Sequence, residues 1–195
     1  MPRELTAKGL ATRSRIVERA SVVVCERGVA NASLESIREA AGVSSSQLFH
    51  YFPEGKRALM LAVARYAADA VIADQEPYLS RLTTWRAWDE WADAVFERFT
   101  QRGRTDLSAL PRLLEQDSPE MREILAVAYS RWEERLAQGV RALQAAGKVR
   151  ADLDALATAT TMLACVQGAV LMSQATGDTG RLRTALHTAI DQLRH

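Results

Sequence analysis

Residues 33–59, SLESIREAAGVSSSQLFHYFPEGKRAL, allow few folds. Leu34, Ile37, Ala40 and Ala41 recur at helical spacing behind Ser33, a good N-cap, with Glu35 in the positive first turn. Gly42 supplies a residue that turns at positive φ, and Val43 is placed to pack into the angle between two helices. Ser44 to Gln47 spells the capping-box pattern Ser-x-x-Gln, so a second helix starts at once. Pro53 limits that helix to about two turns. The segment is a tight helix–turn–helix.

The wheel of the second helix separates its roles. At about 100° per residue, Leu48 and Phe52 fall together and anchor a core. Ser46, Gln47 and His50 fall opposite, with Ser45, Phe49 and Tyr51 at the flanks. No long aliphatic side chain points outward. Small hydroxyls approach a phosphate closely, Gln bonds adenine through two hydrogen bonds, and His and Tyr reach phosphate or base edges. Gln47 is pulled two ways, since a capping-box role and a base contact compete. A solvated helix hairpin in any α-helical domain meets the same geometry.

The full string carries a family signature. Its parts are Arg15-Ile16-Val17 through Arg27-Gly28 as a first helix, then Ser33 to Val43, then Ser44-x-x-x-Leu48-Phe49-His50-Tyr51-Phe52, then Gly55-Lys56-x-x-Leu59. Over about the first third of the chain this closely resembles the DNA-binding domain of the tetracycline-repressor (TetR/AcrR) family of bacterial transcription regulators. Phe52 to Lys56, Phe-Pro-x-Gly-Lys, is similar to the branch containing the LmrA and YxaF regulators. The chain departs from the pattern at Ser45 and Ser46, where members often carry Lys and Gly, and at Phe49, where Tyr uses its hydroxyl on the DNA backbone. A missing Lys removes one phosphate contact and lowers the salt dependence of binding. The candidate DNA-contacting set is Arg13, Ser33, Ser44, Ser45, Ser46, Gln47, Phe49, His50, Tyr51 and Lys56, the last near the backbone.

Charge agrees weakly. The net charge of +1 does not by itself suggest nucleic acid, but residues 1–60 carry nine Lys/Arg against six Glu. Arg3, Lys8, Arg13 and Arg15 lie in an N-terminus expected to be poorly structured, which suits an arm touching DNA or an ordinary solvated terminus equally. With no signal peptide in view, the two cysteines, Cys25 and Cys165, read as reduced core residues of a cytoplasmic protein; a redox-sensing pair is the minor reading.

Apolar spacing of three and four recurs throughout, so the chain is all-α. The first helix runs from about Thr12 to Arg27, stopped by Gly28, and a fourth from near Glu54 to about Asp74. A fifth spans Trp85 to Gln101, a loop with a short helix follows at 103–110, and Ser118-Pro119-Glu120 starts a long helix ending at Gly147. Asp152 starts the next helix, Gly177 ends it, and a last helix reaches Leu193. Residues 155–177 contain no Asp, Glu, Lys, Arg or His, a run of 23. Seven Thr, Ser or Gln make it a poor lipid-facing segment, so it reads as a soluble helix buried on nearly all sides, part of it against another subunit.

Helix count and order match the family fold. The expected organisation is a three-helix helix-turn-helix DNA-binding domain at 1–55, followed by a larger helical ligand-binding and dimerisation domain at 56–195. The resemblance implies a homodimer, paired through its last two long helices as a four-helix bundle, binding a palindromic operator on double-stranded DNA. Ala157, Ala164, Gly168 and Ala169 permit close helix approach there.

All four Trp fall between positions 85 and 132. Trp88, Trp91, Phe96, Tyr129, Trp132, Met162 and Gln167 are the candidate ligand-binding set, with Gln116 and Thr161 as further polar contacts. Plain core packing explains each residue singly; for the cluster, the resemblance implies a pocket for an unidentified small-molecule effector. Family effectors include antibiotics, dyes, flavonoids and acyl-CoA thioesters. There is no His-Glu-x-x-His, Cys-x-x-Cys, Gly-rich phosphate loop or Gly-x-Ser-x-Gly, so no catalytic residue, metal or cofactor is expected. The reading is a ligand-responsive repressor that releases its operator when an apolar or aromatic molecule binds. The alternative is a helical small-molecule-binding or protein-interaction module without sequence-specific DNA binding.

Overall fold

The computed structural model describes residues 6–101 and 118–194. The loop and short helix expected at 103–110, and the readings of Arg3 and Gln116, lie outside the described residues. Among these, eight α-helices and one 3-10 turn occur, and no strand. They are α1 (Ala7–Asn31), α2 (Leu34–Ala41), α3 (Ser45–Tyr51), α4 (Lys56–Ala73), the 3-10 turn Leu79–Arg81, α5 (Trp85–Gln101), α6 (Pro119–Ala145), α7 (Ala155–Thr176) and α8 (Gly180–Arg194). Residues 6–69 and 118–125 form one unit, and residues 70–101 and 126–194 a second.

In the first unit, α1 begins before the expected Thr12, because Thr6 Oγ1 accepts the Gly9 amide at 3.2 Å and caps an extra turn. Lys8, Arg13 and Arg15 are therefore helical, not part of a loose arm. Gly28 breaks the helix at φ 77°, but one more turn follows to Asn31, held by the Ala32 amide on the Gly28 carbonyl at 3.1 Å. Ile16, Ala20, Val23 and Val24 are buried as their spacing required, and α1 packs on α2. Burial of Ile16, Val23 and Val24 contributes about 1.5–3 kcal/mol each, and the Ala20 methyl about half the lower figure. At the start of α6, Ser118 Oγ accepts the Met121 amide at 3.1 Å, while Glu120 pairs with Arg57 of α4.

In the second unit, α5 buries Trp88, Trp91, Ala92, Val95 and Phe99 at spacings of three and four. The cap of α7 is Asp154 rather than the expected Asp152: its Oδ1 accepts the Leu156 and Ala157 amides at 2.9 and 3.0 Å. Gly177 ends α7 at φ 77°, and Asp178 Oδ1 accepts the Gly180 amide at 3.0 Å to open α8. α8 packs on α7 and on α5, where Arg194 bonds Asp89 at 2.8 Å.

Its own chain covers one side of α7, and the remainder, part of which is expected to lie against another subunit, is open. Leu163, Val166 and Val170 are buried, but Ala157, Thr161, Ala164, Cys165, Gly168 and Met172 form an open face at helical spacing, and Leu171 is 61% exposed. Cys25 is a buried core residue, whereas Cys165 is exposed in the middle of that face. Composition shows how apolar a helix is, not how many of its sides one chain covers. By length and composition α7 alone among the described helices is long and apolar enough to cross a membrane.

Candidate nucleic-acid interface

Local chemistry sets the angle of the hairpin. Ser33 Oγ accepts the Ser36 amide at 3.1 Å and starts α2. Gly42 ends it in the left-handed region at φ 61°, with the Gly42 amide on Glu39 O at 3.1 Å and the Val43 amide on Arg38 O at 3.2 Å. Val43 is buried in the turn. Ser44 and Gln47 then complete a reciprocal capping box. The Ser44 amide donates to Gln47 Oε1 at 2.9 Å, and the Gln47 amide donates to Ser44 Oγ at 3.2 Å. The Ser44 and Ser46 hydroxyls lie 2.9 Å apart in a further hydrogen bond.

These bonds decide which groups of α3 remain available. Leu48 and Phe52 are buried, each 2% exposed, and pin the helix to the unit's core. Ser44, Ser45, Ser46, Gln47, Phe49 and His50 are exposed, while Tyr51 is half-buried with its ring edge-on to His50 at 5.0 Å. The competition at Gln47 is resolved in favour of the cap. The capping bond takes one lone pair of Gln47 Oε1 and fixes where the amide points, leaving its Nε2 donor and a second lone pair for a base.

The two basic candidates are held by the unit itself. Arg13 is half-buried on α1 with its guanidinium 5.0 Å from the centre of the Phe52 ring. Lys56 opens α4 and donates from Nζ to the Val29 carbonyl at 2.8 Å, closing the turn after the Gly28 break. That long-range bond has no signature in the sequence. Arg57, next along α4, is engaged by Glu120, whose carboxyl is held below its ordinary range by its own backbone amide and then by the Arg57 charge. All ten candidate residues except Arg13, Tyr51 and Lys56 are thus exposed around α2 and α3.

In the second unit the ligand-binding candidates differ in burial and bonding. Trp88 and Trp91 meet edge-to-face at 5.8 Å, and both are buried. Trp91 Nε1 donates to Gln75 Oε1 at 2.9 Å, and Gln75 Nε2 donates to Val71 O at 2.6 Å, so Trp91 is tied into a satisfied core network. Trp88 packs where only a glycine fits: a Cβ at Gly139 would stand 2.8 Å from its Cζ2. Phe96 is half-buried beneath the Arg183 guanidinium of α8 at 4.2 Å. Trp132 and Met162 are buried, and Tyr129 is half-buried with its phenol pKa pushed up by burial. Trp88 Nε1, Trp132 Nε1, both ends of Gln167, Ser173 Oγ and Gln174 Nε2 are buried without a hydrogen-bond partner among the described residues. Such groups call for polar company. Between α7 and α8 an open groove of about 880 Å³ is lined by Cys165, Gly168, Met172, Thr184, Ala185 and Thr188, among others.

Known proteins align with both units. Residues 16–63 match the family model for bacterial regulatory proteins of the tetR family, and residues 114–189 match that for a tetracyclin repressor-like C-terminal domain. An uncharacterized HTH-type transcriptional regulator of Mycobacterium tuberculosis is 25% identical over 178 residues, covering 85% of this chain and 86% of that protein. The fold is shared with regulatory protein TetR from Rhodobacter sphaeroides, at TM-score 0.81 and 20% identity over 91% of this chain and 96% of that one. It is shared also with the reduced form of E. coli NemR, at TM-score 0.79 and 18% identity over 92% and 95%. With both of its parts matched by models of one family, and with the helix-turn-helix and helical C-terminal region that define that fold, this chain belongs to the tetR family of bacterial transcriptional regulators.

Proposed function

We propose that the chain is a cytoplasmic, ligand-responsive repressor that binds a palindromic operator as a homodimer and releases it when a small apolar or aromatic molecule binds the C-terminal part. The observation that carries the DNA-binding half is the exposed, small and polar face of α3, with Leu48 and Phe52 buried behind it. The Phe52 to Lys56 motif supports placement in the LmrA and YxaF branch. In this reading residues 1–55 contact the operator, and residues 56–195 bind the effector and pair the subunits.

The open faces of α7 and α8 support pairing. A stripe of Ala157, Ala164, Cys165 and Gly168 on a charge-free helix is costly to leave in water and lets a second helix approach closely. Two copies of α7 and α8 then form a four-helix bundle. The unpaired buried donors on α5, α6 and α7 support an effector in the helical core.

Effector binding displaces α4, which contributes residues to both units, and changes the spacing of the two α3 helices in the dimer. The coupling equals the difference in effector affinity between the DNA-bound and released forms, typically about 1–3 kcal/mol. The test is an operator titration by fluorescence anisotropy with and without saturating compounds that raise the protein's thermal midpoint. Release by a bound compound supports the mechanism. Unchanged operator affinity with every bound compound refutes the ligand response.

A further inference from the structure

We propose that Phe49 reads the 5-methyl group of a thymine in each operator half-site, an assignment that rests on the DNA-binding function proposed above. Phe49 is 50% exposed on α3, and no other large apolar side chain among residues 33–59 is left open. It is also braced. Its Cε1 lies 3.9 Å from where a Cβ of Gly55 would stand, and Leu34 Cδ1 lies 4.0 Å from the same point. The ring thus leans on the loop before α4 with one edge and turns the rest outward.

Chemistry narrows what such a ring can recognise. Without a hydroxyl it makes no hydrogen bond to a phosphate oxygen. Of the four bases, only thymine presents an apolar group, its 5-methyl, in the major groove. Deoxyribose is also apolar, but every nucleotide carries it, so packing there distinguishes no sequence. Ser45 and Ser46 precede the ring by four and three positions, its neighbours on the helix surface, and both are small and exposed. No long side chain therefore screens the ring from a base edge.

The polar groups of α3 sharpen the case. Ser44 and Ser46 bond one another, and Gln47 Oε1 is held in the capping box. These bonds hold the Gln47 amide and the Ser44 and Ser46 hydroxyls in set orientations, and Phe49 adds an apolar contact beside them.

The test uses the full-length protein and a duplex selected from a random pool. Each thymine is replaced in turn by deoxyuridine, which removes only the methyl group. At one symmetry-related thymine per half-site, the wild-type protein is expected to lose about four-fold in affinity, and about fifteen-fold when both half-sites are substituted. Phe49→Ala is expected to bind the thymine duplex correspondingly more weakly and to be indifferent to deoxyuridine, with unchanged helicity by circular dichroism. Phe49→Tyr is expected to keep the methyl sensitivity. If wild-type affinity is indifferent to deoxyuridine at every position, or Phe49→Ala retains the full sensitivity, the contact is refuted while DNA binding stands. A pool from which no sequence is enriched refutes the DNA-binding function itself, and the contact with it.

Discussion

Gln47 and Ser44 exchange two hydrogen bonds, Ser44 N–H to Gln47 Oε1 at 2.9 Å and Gln47 N–H to Ser44 Oγ at 3.2 Å. The side chain that the helical wheel marks as a base reader is therefore also the one that starts the reading helix. In the proposed reading, folding and recognition share one residue, and a substitution that keeps the cap separates them.

Gln47→Glu retains the capping box, since Glu serves at that position as well as Gln. Its thermal midpoint is expected to stay within about 2 °C of wild type. Operator affinity is expected to fall about ten-fold or more, because the Nε2 donor is replaced by an acceptor facing DNA. Gln47→Ala loses both functions and adds a stability loss of about 0.5–1 kcal/mol. Calorimetry alongside anisotropy titrations checks the division. Equal affinity for Gln47→Glu and wild type would mean that Gln47 only caps.

Lys56 links the turn after Gly28 to the start of α4 through the Val29 carbonyl at 2.8 Å. Lys56→Met is expected to cost about 1 kcal/mol of stability. It should also weaken specific and random duplexes alike and lower the salt slope by about one unit. Urea unfolding and salt-dependent binding measure the two effects. A loss confined to the specific duplex would assign Lys56 to a base edge.

Much of this architecture was legible because its causes are local. The bounds of α5, the Ser33 and Ser118 caps, the Gly42 turn and the Ser44–Gln47 box each depend on residues within four positions of one another. What escaped was long-range or depended on coverage. The Lys56–Val29 bond spans 27 positions, and the exposure of Cys165 depends on which side of α7 the rest of the chain covers. The stacking of Arg183, far along the chain on α8, over the Phe96 ring is long-range as well. A list of aromatic residues does not say which share a wall.

Gly139 shows the same limit in the core. A Cβ there would stand 2.7 Å from Leu82 Cβ and 2.8 Å from Trp88 Cζ2. Gly139→Ala gains helix propensity but overpacks α5 against α6, and a net loss of about 1–3 kcal/mol is expected. Thermal unfolding with Trp fluorescence reads both stability and the Trp88 environment. A stabilised variant would show that the contact yields freely.

Gly168 is the converse case, with open space around its Cβ position on the exposed face of α7. Gly168→Arg fits the single chain but places a charge where the second subunit's helices are proposed to pack. Light scattering after gel filtration is expected to find a dimer for wild type and a monomer of equal helicity for the variant. A dimeric variant would move the subunit interface elsewhere.

Two copies of this chain are proposed to bind a duplex sequence-specifically, drawn by charge. Anisotropy titrations of the full-length protein against a selected palindrome and a scrambled duplex, from low to high salt, test this most directly. Two chains per palindrome are expected, with a clear preference for it over the scrambled duplex and a log K that falls linearly and steeply with log salt concentration. Equal binding of both duplexes, or a flat salt dependence, would contradict the proposal.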